Sequence, residues 1–365
     1  MRAAVLEQAR EPLRLYDDVD IAAPGAGRVR VRITHCGVCH SDLSIIDGAF
    51  PSPTPVILGH EAAGVVEAVG PGVTSLAPGD HVVLTPVPPC GTCYWCLRGE
   101  PGVCANASAI QTNAFPDGTT GLSRAGDVVY RGVGLGGFAE RAVTEVTGAV
   151  KIPREVPLEV ACVIGCAVQT GVGAVLNTAR VEEGATVLVI GLGGVGLSIV
   201  QGARLAGAAR IIAADPVASR REAARRFGAT DLIDPAAADV ATRAVELTGV
   251  GVDYAFDAVG RASLIQASVA ATRNGGTTVA VGAAPIEDAI HIAPAALFTI
   301  SEKKLLGCAL GSCNSLREIP RLVALWQTGR LDLDGLITAR RPLGEINQAL
   351  DDLRAGRGIR TVLEC

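Results

Sequence analysis

At 365 residues, with 49% hydrophobic and 19% charged residues, the chain has the makeup of a folded globular protein of more than one domain, not of a disordered or fibrous one. Its formal net charge is −5 and no run of like charges supplies the basic stripe that a phosphate backbone demands, so nucleic acid is set aside as a partner and small molecules are expected. Eleven cysteines, behind an N-terminus whose apolar runs are interrupted by Glu7, Arg10 and Glu11, point to metal-binding or catalytic thiols in a reducing cytoplasm and away from a disulfide framework.

From residue 28 to about 150 the pattern is short β-branched runs separated by Gly, Pro and Asp, as in RVRVRI (28–33), GVVEAVG (64–70) and DHVVLT (80–85), which predicts an irregular β-rich domain. Within it Cys39 stands in GVCHSD and His60-Glu61 in GHEAAG, and Cys166 follows in IGCAVQTG. Two thiols and an imidazole would make a three-ligand zinc site with a fourth position open, but dispersed ligands are not proved by spacing, and a solitary buried Cys or His is usually structural. Cys90, Cys93, Cys96 and Cys104 form C-x2-C-x2-C-x7-C, a set of soft ligands suited to a closed tetrahedral Zn(II) site; metal-free thiols and an iron–sulfur cluster are the alternatives. The glycine-rich run 132–137 is followed by the strand-like FAERAVTEV, so it reads as a loop.

Two uncharged stretches, 161–179 and 184–203, are long enough for a membrane span, but the first holds three glycines with Gln169 and Asn177 and the second six glycines, so both read as buried strand, turn and helix. From about residue 184 strand and helix alternate: TVLVI, SIVQGARLAGA, RIIAAD, RREAARRFGA, DYAFDAVG, LIQASVAATRNG and TTVAVGA, as far as about 309. That alternation implies a parallel sheet with helices on its faces.

Gly191, Gly193 and Gly196, with Gly194 and Val195 between, follow TVLVI directly and open a helix, the context that makes GxGxxG a dinucleotide turn. Gly191 permits the tight turn, Gly193 the approach of a pyrophosphate, and Gly196 close packing of helix on strand, with the helix N-terminus toward the phosphates. Asp215 ends the next strand, where a carboxylate accepts the ribose hydroxyls and repels a 2′-phosphate; NAD is favoured over NADP, and Arg220 is close enough to soften that preference. The tail has helical RLVALWQTG and NQALDDLRAG and a final TVLE strand that must join a sheet formed elsewhere, making the first domain discontinuous.

Together these residues resemble the zinc-containing alcohol dehydrogenases of the medium-chain dehydrogenase/reductase superfamily. The likeness spans nearly the whole chain: GVCHSD, GHEAAGVVEAVGPGV, PGD at 78–80, the four-cysteine lobe, IGCAVQTG, GLGGVGLS, the strand ending at Asp215, and GIRTVLE. It implies an α/β protein with a GroES-like β-rich catalytic domain (1–167 and 310–365, with a zinc lobe at about 88–106), a Rossmann doubly wound NAD domain (168–309), and an active site in the cleft between them.

By the same resemblance Cys39, His60 and Cys166 match the catalytic zinc ligands and Cys90, Cys93, Cys96 and Cys104 the structural ones, two zinc ions per subunit. Asp42 matches the carboxylate that orients the ligand histidine, and Glu61 sits beside the zinc. His40 and Arg360 fall where basic residues contact the cofactor pyrophosphate, and Thr170 near the nicotinamide. The implied chemistry is reversible hydride transfer from a primary or secondary alcohol to NAD, with zinc as Lewis acid and Ser41 hydrogen-bonding the substrate oxygen and passing its proton outward. Many relatives end that relay in a histidine where this chain has Ser44, which cannot act as a base near neutral pH, so Ser44→His is expected to shift the pH profile of turnover.

Cys36, Cys162, Cys308, Cys313 and Cys365 match no ligand position, and His35, His81 and His291 no relay position. Only twelve aromatic residues (two Trp, four Tyr, six Phe) suggest an aliphatic pocket, its mouth lined by 45–55 and 108–126. The resemblance implies a homodimer or homotetramer. Rival readings are a thiol-adduct formaldehyde dehydrogenase, a nicotinoprotein that keeps its NAD bound through turnover, and a non-catalytic zinc- and nucleotide-binding relative.

Overall fold

The structure, a computed structural model, describes residues 1–292 and 294–365. The chain divides into two compact units: Met1–Ala167 with Cys313–Cys365, and Val168–Ser312.

The first unit is built on a seven-stranded sheet whose central strand, Arg28–Gly37, shows why the segment is a strand. Val29, Val31 and Ile33 alternate with Arg28, Arg30 and Arg32, so one face enters the core while the other stays at the surface. On the outer face Glu67 accepts from Arg30 Nε at 2.7 Å and Arg141 Nε at 3.2 Å, tying three neighbouring strands. The strand pairs antiparallel with Glu61–Val69, Arg141–Glu145 and the C-terminal Arg360–Glu364, so the last residues complete a sheet begun early in the chain. A four-stranded sheet (Ala3–Leu6, Arg14–Tyr16, Val56–Ile57, Tyr130–Arg131) and a three-stranded one stand beside it, over a shared core that includes Leu6, Ile33, Ile57, Leu58, Leu84 and Phe138.

The second unit is a six-stranded parallel sheet: Asp231–Ile233, Arg210–Ala214, Thr186–Ile190, Val252–Asp257, Thr272–Ala280 and Lys304–Gly307 in spatial order. Numbered along the unit this is 3-2-1-4-5-6, the doubly wound Rossmann order. Its central strand is apolar and buried along Val187, Leu188, Val189 and Ile190, because helices cover the middle of a parallel sheet on both faces.

The reading of 184–203 as strand, turn and helix agrees with Thr186–Ile190 and Gly194–Leu205. That of 161–179 needs correction: the segment holds no strand but successive helical turns, Cys162–Gly165, Ala167–Gly173 and Ala174–Ala179. Short apolar runs such as CVIG carry no periodicity that separates strand from buried helix. Among the described residues no single helix is long and apolar enough to cross a membrane.

Two candidate metal sites and a dinucleotide turn

Cys39 caps the helix His40–Ile46 from an extended backbone (φ −114°, ψ 156°), and Asp42, one turn in, has its side chain 0% exposed. That carboxylate is fully committed. Oδ2 accepts from the Cys39 amide at 3.0 Å, while Oδ1 accepts from the Gly59 amide at 3.0 Å and lies 3.2 Å from His60 Nδ1. One buried acid therefore joins the Cys39 turn to the Gly59–His60 arm, and with Nδ1 turned to Asp42, His60 meets Cys39 through its other ring nitrogen, the one it would offer a ligand.

The sulfurs of Cys39 and Cys166, a His60 nitrogen and a Glu61 carboxylate oxygen all lie within 4.8 Å of one another. Ser41 Oγ stands 3.9 Å from the Cys39 sulfur. The hydrogen bond from Cys166, aided by the charges of His60 and Arg360 and opposed by burial, holds the Cys39 thiol well below its ordinary range; Cys166, as donor, is held well above it. Burial disfavours a charged His60, but Asp42 and Cys39 outweigh it and raise its pKa well above the ordinary value. The cluster thus favours a thiolate, and thiolates are what soft-metal sites use.

Glu61 follows His60 at the start of its strand. Its Oε1 accepts from the Ala167 amide at 3.2 Å and lies 3.4 Å from Arg360 Nη2, whereas its buried Oε2 has no partner among the described residues. Burial pushes Glu61 up to about 7, with Arg360 pulling the other way. A Cβ at Gly37 would press on the Glu61 carboxylate, so glycine there leaves that side chain its place. Two thiols, the imidazole nitrogen that faces Cys39 and an orphaned carboxylate oxygen in a buried cluster fit a zinc ion.

The second cluster lies on short helical turns, Tyr94–Leu97 and Pro101–Val103. Cys90 and Cys96 sulfurs are 4.0 Å apart and those of Cys93 and Cys104 3.8 Å, close to the edge of about 3.8 Å expected for a tetrahedron with Zn–S bonds of about 2.3 Å. Backbone amides converge on these sulfurs: Cys93 on Cys90 at 3.3 Å, Cys90 and Asn106 on Cys104 at 3.3 and 3.4 Å, and Ala105 on Cys93 at 3.5 Å. Such donors stabilise thiolates, so this set also fits zinc, with every ligand a sulfur.

In the second unit Gly191 adopts φ +89°, which favours glycine, and a Cβ on it would strike Val259. A Cβ on Gly196 would strike the Gly191 carbonyl, while the same position on Gly193 faces open space. Gly194 and Val195 begin the helix Gly194–Leu205, so an open glycine face sits at a helix N-terminus, which fits a pyrophosphate. Asp215 is buried and accepts from the Leu192 amide through Oδ2 and from the Val217 amide through Oδ1, both at 2.8 Å. Arg221, next to Arg220, donates to the Asp215 carbonyl at 2.6 Å and to Asp234 at 2.8 Å.

Of the residues singled out in the sequence, Cys39, Ser41, Asp42, His60, Glu61, Cys166 and Arg360 come together in the first unit, and the glycine turn and Asp215 in the second. His40 is exposed at the start of its helix; Thr170 is buried on Ala167–Gly173. Arg360 is itself buried, donating to the Val38 carbonyl at 2.7 Å. The contacts that sequence reasoning missed are Arg360 on Glu61, a partner no spacing rule signals, and the amides of Leu192 and Val217 on Asp215.

Two family models match: an alcohol dehydrogenase GroES-like domain at residues 25–154 and a zinc-binding dehydrogenase domain at 194–327. Class-3 alcohol dehydrogenase of Myxine glutinosa is 39% identical, over 100% of this chain and 97% of its own. Among solved structures, an alcohol dehydrogenase zinc-binding domain protein from Burkholderia ambifaria matches with a TM-score of 0.94 at 38% identity, covering 100% of this chain and 98% of that one. Benzyl alcohol dehydrogenase from Acinetobacter calcoaceticus matches with a TM-score of 0.94 at 33% identity and the same coverage.

Proposed function

The chain belongs to the zinc-containing alcohol dehydrogenase family of the medium-chain dehydrogenase/reductase superfamily, an oxidoreductase acting on alcohols, and on that premise we propose that it transfers hydride reversibly between a primary or secondary alcohol and NAD at a zinc held by Cys39, His60 and Cys166. The observation that carries this reading is the buried cluster of those three side chains with Ser41 beside it and Asp42 behind His60. Zinc bound there supplies Lewis acidity that lets an alcohol hydroxyl ionise near neutral pH. NAD bound at the Gly191–Gly196 turn supplies the hydride acceptor.

The chain's own residues do the rest. Asp42 fixes His60 with Nδ1 toward the carboxylate and Nε2 toward the two cysteines. Ser41 accepts the hydrogen bond of the reacting hydroxyl and hands its proton outward. Ser44 spends its hydroxyl on the His40 carbonyl at 3.2 Å, so water carries the proton on from there. Asp215, with both oxygens already oriented by backbone amides, receives the ribose hydroxyls and disfavours a 2′-phosphate; His40, Thr170, Arg220 and Arg360 are the remaining cofactor contacts in this reading. The balance is alcohol plus NAD⁺ giving aldehyde or ketone, NADH and a proton.

The four-cysteine lobe holds a second zinc with a structural role. A homodimer or homotetramer is part of the proposal, supported by the edge strand Lys304–Gly307 with its exposed Leu306 and by the exposed Leu297 and Ile300 on the helix that precedes it in the chain. So is a reducing, cytoplasmic setting, supported by the commitment of seven of eleven cysteines to ligand sets.

The test is NADH formation by purified zinc-loaded protein with NAD⁺ and a panel of aliphatic, allylic and benzylic alcohols. Turnover on the panel supports the reading, and the order of rates describes the pocket. Turnover of formaldehyde only with an added thiol, or only through cofactor carried in from purification, would replace it; no turnover of any kind would overturn it.

A further inference from the structure

The glycine-rich run 132–137 has no part in the function proposed above, yet it carries the least comfortable backbone in its neighbourhood. Val133, a β-branched residue among glycines, sits at φ 53°, ψ 33°, a left-handed conformation that such side chains avoid. Something must hold it there. Its amide donates to Asn113 Oδ1 at 2.9 Å, and Asn113 is itself left-handed (φ 54°, ψ 29°) and 1% exposed. The Asn113 amide group also donates through Nδ2 to Ser52 Oγ at 2.8 Å, and its backbone carbonyl accepts from the Arg131 amide at 3.0 Å. Arg131, buried and stacked over Phe115 with its carbon Cζ 3.5 Å from the ring centroid, donates to the Gly134 carbonyl on the other side of Val133.

The strained turn leads to the catalytic cluster by a short route. Arg131 pairs with Ile57, the Phe138 amide donates to the Leu58 carbonyl at 2.8 Å, and the Gly137 amide to the Gly59 carbonyl at 2.7 Å. Residues 131–138 are thus stitched at both ends to Ile57, Leu58 and Gly59, the three residues that deliver His60, with Asn113 gripping the middle. Gly59 in turn donates to Asp42, the acid that orients His60. Ser52 lies in the segment between the Cys39 helix and that same arm, so Asn113 ties together both approaches to the cluster.

We propose that Asn113 is a positioning residue for the catalytic metal: by locking Val133 and the turn around it, it sets the path of Ile57–Gly59 and so the placement of His60. The proposal rests on the reading of Cys39, His60 and Cys166 as zinc ligands. A residue that holds, at two backbone points, the turn to which the arm is stitched limits how far a ligand can drift, and loosening it weakens the metal without removing any ligand.

The deletion variant is Asn113→Gly, because glycine accepts the left-handed backbone and isolates loss of the side chain. The measurement is zinc retained per chain during titration of the folded holoenzyme with a zinc chelator. Wild type should release two zinc ions in separate steps, a premise that can be checked first: a single step, the lobe's, would sink the zinc reading itself. In Asn113→Gly the catalytic step should move to roughly tenfold lower chelator while the lobe's step stays in place. Asn113→Asp, which keeps the acceptor for the Val133 amide, should restore most of the wild-type position. Val133→Gly removes the strain, so the double variant should lie nearer wild type than Asn113→Gly alone. If Asn113→Gly does not fold, Asn113→Ser, with a shorter acceptor, should show the same selective shift in milder form. Unchanged release of the catalytic zinc, or an equal shift of both steps, would overturn the proposal.

Discussion

The four cysteines of the lobe all fall between residues 90 and 104, on short turns with Tyr94 and Leu97 exposed, whereas Cys39, His60 and Cys166 are brought from distant parts of the chain into a site where Asp42 and Glu61 are 0% exposed. In the lobe, backbone amides hold the sulfurs and little apolar surface is buried, so the metal must supply much of the order. In the buried cluster the order comes from elsewhere: a capped helix turn delivers Cys39, a stitched arm His60, and the helical turn Cys162–Gly165 delivers Cys166. On the proposed reading the lobe leans on its ion for stability, whereas the buried site is shaped ahead of its ion.

The contrast is tested most severely by removing a ligand from the buried site. His60→Ala is expected to lower kcat by at least about a thousandfold, the scale of the several kcal/mol that a Lewis acid contributes, and to halve the zinc content while leaving far-UV circular dichroism unchanged. A variant that unfolds, or one that keeps its activity, would break the distinction. Asp42→Asn is a gentler form of the same test. It keeps the size but loses the charge facing His60 and turns one acceptor of a backbone amide into a donor, and should weaken the catalytic zinc by about 10- to 100-fold in a chelator titration without touching the lobe's ion.

The same contrast explains what could be read from the sequence. The lobe was legible because C-x2-C-x2-C-x7-C is a local spacing, and the dinucleotide turn because a strand, three glycines and a helix occur in immediate succession. So was the alternation that becomes the parallel sheet, and the final TVLE as a strand of an earlier sheet. Cys39, His60 and Cys166 could be joined only through family resemblance, since no spacing rule brings residue 166 to residue 39. Asn113 was not legible at all: a polar residue in a loop looks the same whether or not its amide holds a valine in a left-handed turn. Arg360 shows an intermediate case, marked as functional by resemblance while its burial against Glu61 depended on the fold of a distant strand.

On the lobe side, Cys93→Ser should release one zinc and lower Tm by the order of 10 °C, which a loss of about 3 kcal/mol produces in a unit of this size. New proteolytic sites should open near residues 94–103, and the molecules that stay folded should keep kcat within about threefold of wild type. A fall in kcat as large as that of His60→Ala, at full folding, would mean that the two sites are not separate in function.

The smallest effect concerns the lobe without its metal. Hydrogen bonds from the Thr92 and Cys93 backbone, outweighing burial, lower Cys90 to about 6, whereas burial pushes Cys104 up to about 12. For Cys90 the depressed pKa means that the thiolate's bonds add stability fully present above the ordinary value of 9 and lost as pH falls through about 6. In chelator-treated protein, pulsed with iodoacetamide between about pH 5 and 8, Cys90 should therefore label with a midpoint near 6 while Cys104 stays unlabelled. Retention of that order would show that the amides around Cys90 stay in place when the ion leaves. Equal labelling of all four, with midpoints near the ordinary thiol value, would show that they do not, and that the lobe owes its shape to the metal even more completely than the buried site owes its metal to the shape.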